Sequence, residues 1–504
     1  MSTMTLKDRH VLVLGSGASG LAMARWCCRQ GASVVVADSR VDAPGFATLE
    51  SELPTVERVG GALDEGLLRH GPFDLILRSP GLSPAALAPL AAAARSEGIV
   101  LSGELDLFGD ALAQLYAERA YRPAVLAVTG TNGKTTVTSL TGQLIERAGL
   151  SVAVAGNIGP TLLDTLARKL DSGDLPEVWV LELSSFQLAY ARSFEPSAAV
   201  LLNVSEDHLD WHSDMEDYAA AKAKIFGANG LMILNRDDSR VWAMKPTASK
   251  GRPVRSWSSF GLDTPSAVGD WGLESLNGMT WLCRAVAGEE PVRRRGGGGE
   301  APVHIQRLMP VDALRIRGRH NAGNALAALA LATSAGCPLA MLLHGLREYR
   351  GEPHRVEPIG LIDGVEFFDD SKGTNVGATV AALIGLGGDR KLVVILGGDG
   401  KGQDFSPLVG PVSRFARSVH LIGRDAAVIE RTLQPTGVSL NQHPSLEEAV
   451  RAARRAAQPG DAVLLSPACA SLDMFRNYEH RANVFLNEVR AIALDEGQAQ
   501  GSVP

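Results

Sequence analysis

At 504 residues, 45% hydrophobic and 21% charged, the chain has the composition of an ordinary soluble globular protein and the length of about three domains. Lys plus Arg number 49 against 56 Asp plus Glu, and a net charge of -7 argues against nonspecific nucleic-acid binding, so an anionic ligand needs a local basic site. The five cysteines, Cys27, Cys28, Cys283, Cys337 and Cys469, are scattered and odd in number, which excludes a disulfide framework or a CxxC metal pair, and no apolar run reaches the roughly 18 residues of a membrane span.

The opening "MSTMTLKDRH" runs into a strand without a signal-like apolar core, so a reduced, cytoplasmic setting is expected. The first strand, "HVLVLG", leads into Gly15, Gly17 and Gly20 in GxGxxG spacing, and "SVVVAD" ends at Asp38. Such glycines permit a tight turn and close approach of a phosphate to a helix N-terminus, and the acid can accept from a ribose hydroxyl. The pattern reports a phosphate without its owner: a nicotinamide dehydrogenase is one reading, another phosphate-bearing ligand the alternative. With "DLILRSPG" and "GIVLSGELDLF" it forms a small α/β unit over residues 1–112.

A second α/β unit, 113–350, starts at "AVLAVTG" and repeats strands at "SVAVAGN", "VWVLELSS", "AAVLLNVS" and "GLMILNRDD". Its "AVTGTNGKTTVTSL", Ala127–Leu140, is a nucleotide-triphosphate signal. Gly130, Thr131, Asn132 and Gly133 make a turn, and Lys134, Thr135 and Thr136 follow at a helix start to meet phosphates and magnesium. Val128 stands where GxxxxGK[ST] wants glycine, which points away from small GTPases and kinases.

Downstream, Glu182 and His208 end successive strands. Glu182 with Thr135 suits hard magnesium. A zinc pair of His208 and His212 lacks a general-base Glu directly after His208 and a third ligand. On spacing alone, Lys222 and Lys224 in "YAAAKAKIF" read as a solvated basic helix face.

Residues 245–305 show little periodicity and carry "RRRGGGGE", a composition that buries no core. A surface excursion with a flexible insertion near 283–302 is expected.

The helix "HNAGNALAALALATSAG" closes the second unit, and "REYRGEPHRVE" leads to a third, 351–504, with strands at "VEFFDDS", "KLVVILGG", "SVHLIG" and "DAVLLSP". After these come "FFDDSKGTN", "LGGDGKG" and "LSPACASLDMFRNYEHR", at the usual ligand edge of a parallel sheet. Lys372, Lys401 and Ser471 there can hold carboxylates.

Taken in order, "TGTNGKTT", "GNIG", "LELSSFQL", "NVSEDHLDWH", "YAAAKAKIF", "GRHNAGNALAALA", "PHRVE", "DDSKGTN", "LGGDGKG" and "SPACASLDMF" resemble the Mur ligases, which build the peptidoglycan stem peptide. The resemblance covers nearly the whole chain outside 245–305. "DSKGTN" with "SPACASLDMF" is similar to the branch that adds D-glutamate to UDP-N-acetylmuramoyl-L-alanine. Gly373 departs from a common DSKAT form and Tyr478 stands where phenylalanine is expected. The implied fold is α/β in three domains: N-terminal Rossmann-like and UDP-binding, central P-loop ATPase-like with a parallel-rich sheet, C-terminal Rossmann-like.

The resemblance implies an ATP- and magnesium-dependent amide-bond-forming ligase of peptidoglycan synthesis. The γ-phosphoryl of ATP passes to the alanyl carboxylate, and the D-glutamate amine attacks the acyl phosphate. Lys134, His208, Lys222 and Lys372 carry the catalysis by this likeness. Gly130, Thr131, Asn132, Gly133, Lys134, Thr135, Thr136, Asn321, Asn324, Arg355 and Asp370 take the nucleotide. The UDP-substrate falls to Ala18, Ser19, Asp38, Ser39, Arg40, Ser79, Asn157, Ser184, Gln187 and His208, so the opening glycine turn receives UDP instead of a nicotinamide. D-Glutamate falls to Lys372, Thr374, Lys401, Ser471, Leu472 and Tyr478, and magnesium to Thr135, Glu182, His208 and Lys222 as its carbamate. The implied partners are small-molecule substrates only, with no nucleic acid and no membrane insertion, and the implied state is a monomer in the cytoplasm. Folylpolyglutamate synthase, the nearest rival, shares the central domain but lacks the UDP-binding unit.

Overall fold

In the computed structural model, residues 5–209, 211–247, 254–288, 302–388 and 390–497 are described. The first apolar runs become β1 (His10–Leu14), β2 (Ser33–Asp38), β3 (Glu57–Gly60), β4 (Leu75–Arg78) and β5 (Val100–Ser102). They pair in parallel in the order β3-β2-β1-β4-β5. Strands buried on both faces need continuous aliphatic sequence, which "VLVL" and "VVVA" supply. Strand order reverses at β1, and the glycine turn lies at its carboxyl end, where open α/β sheets bind ligands.

The second sheet holds β6 (Ala124–Thr129), β7 (Val152–Gly156), β8 (Val178–Glu182), β9 (Ala198–Leu201), β10 (Leu231–Asn235), β11 (Trp257–Phe260), β12 (Trp271–Leu276), β13 (Met279–Ala287) and β14 (Val303–Pro310). Its order is β14-β13-β12-β11-β10-β9-β6-β8-β7, parallel from β7 to β12 and antiparallel beyond. Here the structure corrects the sequence reading of 245–305. The described part is no coreless excursion, because β11 to β14 extend the sheet and bury Phe260, Trp271, Leu273, Leu282 and Met309. The missed signal is Asn277-Gly278, both at positive φ (52° and 78°), which closes a two-residue hairpin with Leu276 paired to Met279. Residues 289–301, which include "RRRGGGGE" and most of the expected insertion, lie outside the described residues.

The third sheet comprises β15 (Glu357–Ile362), β16 (Val365–Asp369), β17 (Leu392–Gly397), β18 (Ala416–Ile422), β19 (Ser439–Gln442) and β20 (Ala462–Leu465), in the order β15-β16-β20-β17-β18-β19. Only β15 is antiparallel to its neighbour.

The first two sheets share a core. Leu105 and Phe108 from the helix Glu104–Arg119 pack with Trp179 and Leu181 of β8, Phe108 edge-on to Trp179 with ring centroids 5.0 Å apart. Each such buried side chain contributes about 1.5–3 kcal/mol. Arg25 with Asp164 (3.2 Å) and Arg29 with Asp171 (2.6 Å) bridge the same seam. The third sheet has its own apolar clusters on its two faces, and it meets the second largely through polar loops.

Candidate active site

Strand β6 delivers the loop Gly130–Gly133, and Gly133 (φ 84°) caps the helix Lys134–Arg147 with no side-chain partner. The first-turn N–H groups of that helix therefore face outward, the arrangement that receives a phosphate. The loop is fixed from below: Asn132 N–H donates to Asn203 Oδ1 at 2.8 Å, and Asn203 Nδ2 donates back to the Asn132 carbonyl at 3.1 Å. Because β8 and β9 flank β6, Glu182 and the segment after Leu201 end beside it.

Two lysines reach the loop. Lys134 Nζ donates to the carbonyls of Gly130 and Thr131, both at 3.0 Å, and Lys222 Nζ donates to Gly130 O at 2.8 Å. Lys222 is buried and Lys224 exposed, which corrects the solvated-face reading of this helix. Burial lowers the Lys134 ammonium, and it drops Lys222 well below its ordinary range, helped by the neighbouring Lys134 charge.

Glu182 is 1% exposed. Its Oε1 accepts from Asn157 Nδ2 at 2.9 Å, while Oε2 has no partner among the described residues. An unpartnered buried oxygen costs about 1–3 kcal/mol, so it marks a position for a ligand. With the Thr135 hydroxyl it makes a hard oxygen donor set suited to magnesium.

His208 (φ 56°) lies edge-on to Phe186, ring centroids 4.7 Å apart. His212 is buried with Nδ1 at 3.1 Å from Asp217 and Nε2 at 3.0 Å from Ser185 Oγ. Its ring is thus engaged away from a shared zinc site.

The C-terminal unit closes the opposite wall. Arg355 donates to Thr135 Oγ1 at 2.6 Å, and Asn375 Nδ2 lies 3.3 Å from both Asn132 Oδ1 and Asp207 Oδ2. Lys372 sits over the Tyr478 ring, Nζ 3.8 Å from its centroid, and burial lowers its ammonium. Asp370 accepts from Ser466 Oγ at 2.6 Å, and burial pushes its carboxyl up to about 7.

A cleft of about 720 Å³ joins Lys134, Thr135, Glu182 and His208 on one side to Lys372, Thr374, Lys401 and Tyr478 on the other. Thr131, Asn132, Gly133, Asn157 and Arg355 line it too. A smaller cavity of about 240 Å³ places Thr136, Asn321, Asn324 and Asp370 among Phe260, Leu262 and Ile316, an apolar slot with a few amides.

Other expected residues stand elsewhere. Ser471 is buried and Leu472 is 69% exposed, and Ala470 takes the place on the cleft wall. Ala18 and Ser19 begin the helix Ala18–Arg29 beside Gly15, whose carbonyl accepts from Ser79 Oγ at 3.3 Å. Ser39 and Arg40 form an exposed rim. Asp38 is occupied internally: Ser16 N–H (2.9 Å), Ser16 Oγ (2.7 Å) and the Arg40 guanidinium (Nε, 2.9 Å) all donate to it, and Arg40 above all holds its carboxyl far below the usual range. These bonds fix the Ser16 turn against the end of β2. Ser184 and Gln187 cap one helix reciprocally, an S-x-x-Q pattern already visible in "SSFQ".

Sequence reasoning missed His354, Asp207, Asn375, Gln403 and Glu479 on the cleft wall. His354 is oriented by Asp369 (Nδ1 at 2.7 Å from Oδ2), which raises its imidazolium above the ordinary range. Its only sequence signal was adjacency to Arg355 in "PHRVE".

Comparison with known proteins agrees along the chain. Residues 9–103 match the Mur ligase MurD-like N-terminal domain, 128–332 the Mur ligase middle domain, and 354–469 the glutamate ligase domain of Mur ligases. UDP-N-acetylmuramoylalanine–D-glutamate ligase of Albidiferax ferrireducens is 60% identical over 99% of this chain and 99% of its own. The protein of the same name from Polaromonas sp. is 53% identical over 98% and 99%. The crystal structure of MurF ligase from Thermotoga maritima in complex with ADP shares the fold, with a TM-score of 0.58 at 17% identity over 98% of this chain and 100% of that one.

Proposed function

The chain belongs to the Mur ligase family, and from that premise we propose the reaction and the residues that perform it. It is an ATP-dependent ligase that joins D-glutamate to UDP-N-acetylmuramoyl-L-alanine in peptidoglycan synthesis, releasing ADP and phosphate. The observation that carries the residue assignment is the cleft, in which the phosphate loop and the unpartnered Glu182 oxygen face Lys372 and Lys401 across the seam.

Joining a carboxylate to an amine is uphill in water, so an oxygen of the alanyl carboxylate first takes the γ-phosphoryl group. The outward N–H groups of the helix Lys134–Arg147 and the Lys134 ammonium hold the triphosphate, Thr136 and the Asn321–Asn324 pair hold the nucleoside in the smaller cavity, and Arg355 and Asp370 close over it. Magnesium fits the donors present: Thr135, Glu182, His208 and a carbamate on Lys222 would hold it, and it would screen charge between triphosphate and carboxylate. The depressed pKa of Lys222 supplies the neutral amine that carbamate formation requires: the nitrogen bonds to CO2 and loses a proton.

The UDP moiety sits on the glycine turn, near Ala18, Ser19, Ser39, Arg40 and Ser79, and the sugar runs past Asn157, Ser184 and Gln187 toward His208. D-Glutamate is gripped by Lys372, Thr374, Lys401 and Tyr478 on the cleft wall, with Ser471 and Leu472, next in the chain to the wall residue Ala470, completing the pocket. Its amine attacks the acyl carbon, the C–O bond to phosphate breaks, and the amine proton is lost as the amide forms. The domain limits near 112 and 350, a monomeric state and a cytoplasmic location complete the reading.

The test is phosphate release from ATP, magnesium and UDP-N-acetylmuramoyl-L-alanine with D-glutamate, L-glutamate, L-alanine, diaminopimelate or no amino acid. Turnover with D-glutamate alone, abolished by Lys134→Ala, is expected; turnover with a different amino acid would overturn the substrate.

A further inference from the structure

Among the described residues Arg481 is the largest charged side chain wholly withdrawn from solvent, 0% exposed on the helix Tyr478–Asp495. Among the described residues it makes no bond to a carboxylate. One terminal nitrogen donates to Cys469 O at 3.2 Å and the other to Ser371 O at 2.8 Å, while Nε has no partner among the described residues. Burial pushes the guanidinium down to about 10, and Asp369, Asp370 and Asp473 act on it only through longer-range attraction.

The two carbonyls belong to two different ligand loops. Ser371 immediately precedes Lys372, and Cys469 lies two residues before Ser471. The same loops are also laced to each other: Ala468 N–H donates to Gly373 O at 3.0 Å and Ser466 Oγ to Asp370 Oδ2 at 2.6 Å. A third loop joins them, since Ala470 and Asp399 exchange backbone bonds (2.9 and 3.0 Å) two residues before Lys401. Tyr478, under Lys372, starts the helix that carries Arg481. One planar, two-pronged donor thus sets the spacing of Lys372 and Ser471 relative to Tyr478.

We propose that Arg481 is a positioning residue for the amino-acid pocket, pinning the Lys372 and Ser471 loops from beneath. A buried cation without a carboxylate is costly to keep, and a rigid fork to two carbonyls is a geometry lysine cannot reproduce. The inference rests on the D-glutamate reading of that pocket.

The experiment compares the full-length protein with Arg481→Lys and Arg481→Met in the phosphate-release assay, with KM measured for each of the three substrates. Wild-type turnover with D-glutamate is checked first, so a wrong amino acid shows there, before any variant is read. In both variants KM for D-glutamate should rise about tenfold or more while KM for ATP and for the UDP-substrate stays within about twofold, with lysine, which can still hold one carbonyl, the less impaired. Should methionine fail to fold, the lysine variant alone carries the test. A parallel rise in all three KM values, a fall in kcat with KM for D-glutamate unchanged, or no change would overturn the proposal.

Discussion

Replacing Arg355 by methionine keeps most of the side chain's volume and removes its charge. The 2.6 Å bond to Thr135 Oγ1 is the shortest of the polar contacts by which the C-terminal unit reaches the phosphate loop, and its donor is charged. Hydrogen bonds to charged groups contribute about 1.5–3 kcal/mol, which converts at about 1.4 kcal/mol per tenfold to a rise of roughly 10- to 150-fold in KM for ATP. A second signature follows from the neighbours. Arg355 pulls down the Asp370 carboxyl, whose pKa burial has raised to about 7, and it also depresses the Lys372 ammonium, which burial lowers first. Without the cation the Asp370 pKa rises further. If the ionised carboxylate is the active form, activity falls as pH drops through that pKa, and the acid limb of kcat/KM must move to higher pH in Arg355→Met. Initial rates of phosphate release over a pH series with varied ATP measure both quantities. A KM for ATP within about threefold of wild type, together with an unmoved acid limb, would refute the assignment.

Activity should fall after exhaustive dialysis against bicarbonate-free buffer and return on adding bicarbonate, since a carbamate on Lys222 exchanges with dissolved CO2; indifference to bicarbonate would remove that ligand from the site. Gly20→Ala places a Cβ 1.8 Å from the Gly15 carbonyl oxygen, so the turn must open and KM for the UDP-substrate should climb at least tenfold with KM for ATP unchanged. His420, paired with His443 at 2.9 Å, has a pKa lowered by burial from 6.5 to about 4. The unfolded chain then binds the extra proton first, so stability is full above pH 6.5 and declines as pH falls toward 4. Protection factors of the β18 amides, corrected for the intrinsic pH dependence of exchange, should fall more steeply over that window in wild type than in His420→Gln, and an equal fall in both would reject it.

The apolar runs of parallel strands and the glycine-rich phosphate loop were legible because each is a local pattern with a local cause. The β12–β13 hairpin was equally local, but "NG" was overlooked beside the glycine tract, and the two described strands show that a nearby low-complexity stretch says nothing about its flanks. Lys222 was illegible for a different reason. Its burial depends on the helix Met215–Ala223 lying over the phosphate loop, a contact across 92 residues that no helical periodicity encodes. For Asp38, a spacing rule identifies an acid near a phosphate turn and says nothing of the Ser16 and Arg40 donors that its oxygens also take.

Charge placement explains how a chain of net charge -7 can receive three anionic reactants. Lys134 and Lys222 donate to the same Gly130 carbonyl, and Lys372 lies on an aromatic face; none of these contacts is an ion pair with a carboxylate. Their lowered pKa values record the cost of burying cations without close counter-ions. A triphosphate and a carboxylate entering this cleft supply the missing counter-charge, and they gain more there than against exposed lysines because charges withdrawn into the protein are screened less. Surface acids add to the net charge but act through solvent and are screened within about 8–10 Å. The balance of the whole chain therefore does not oppose the local field, which is set at the seam between two sheets.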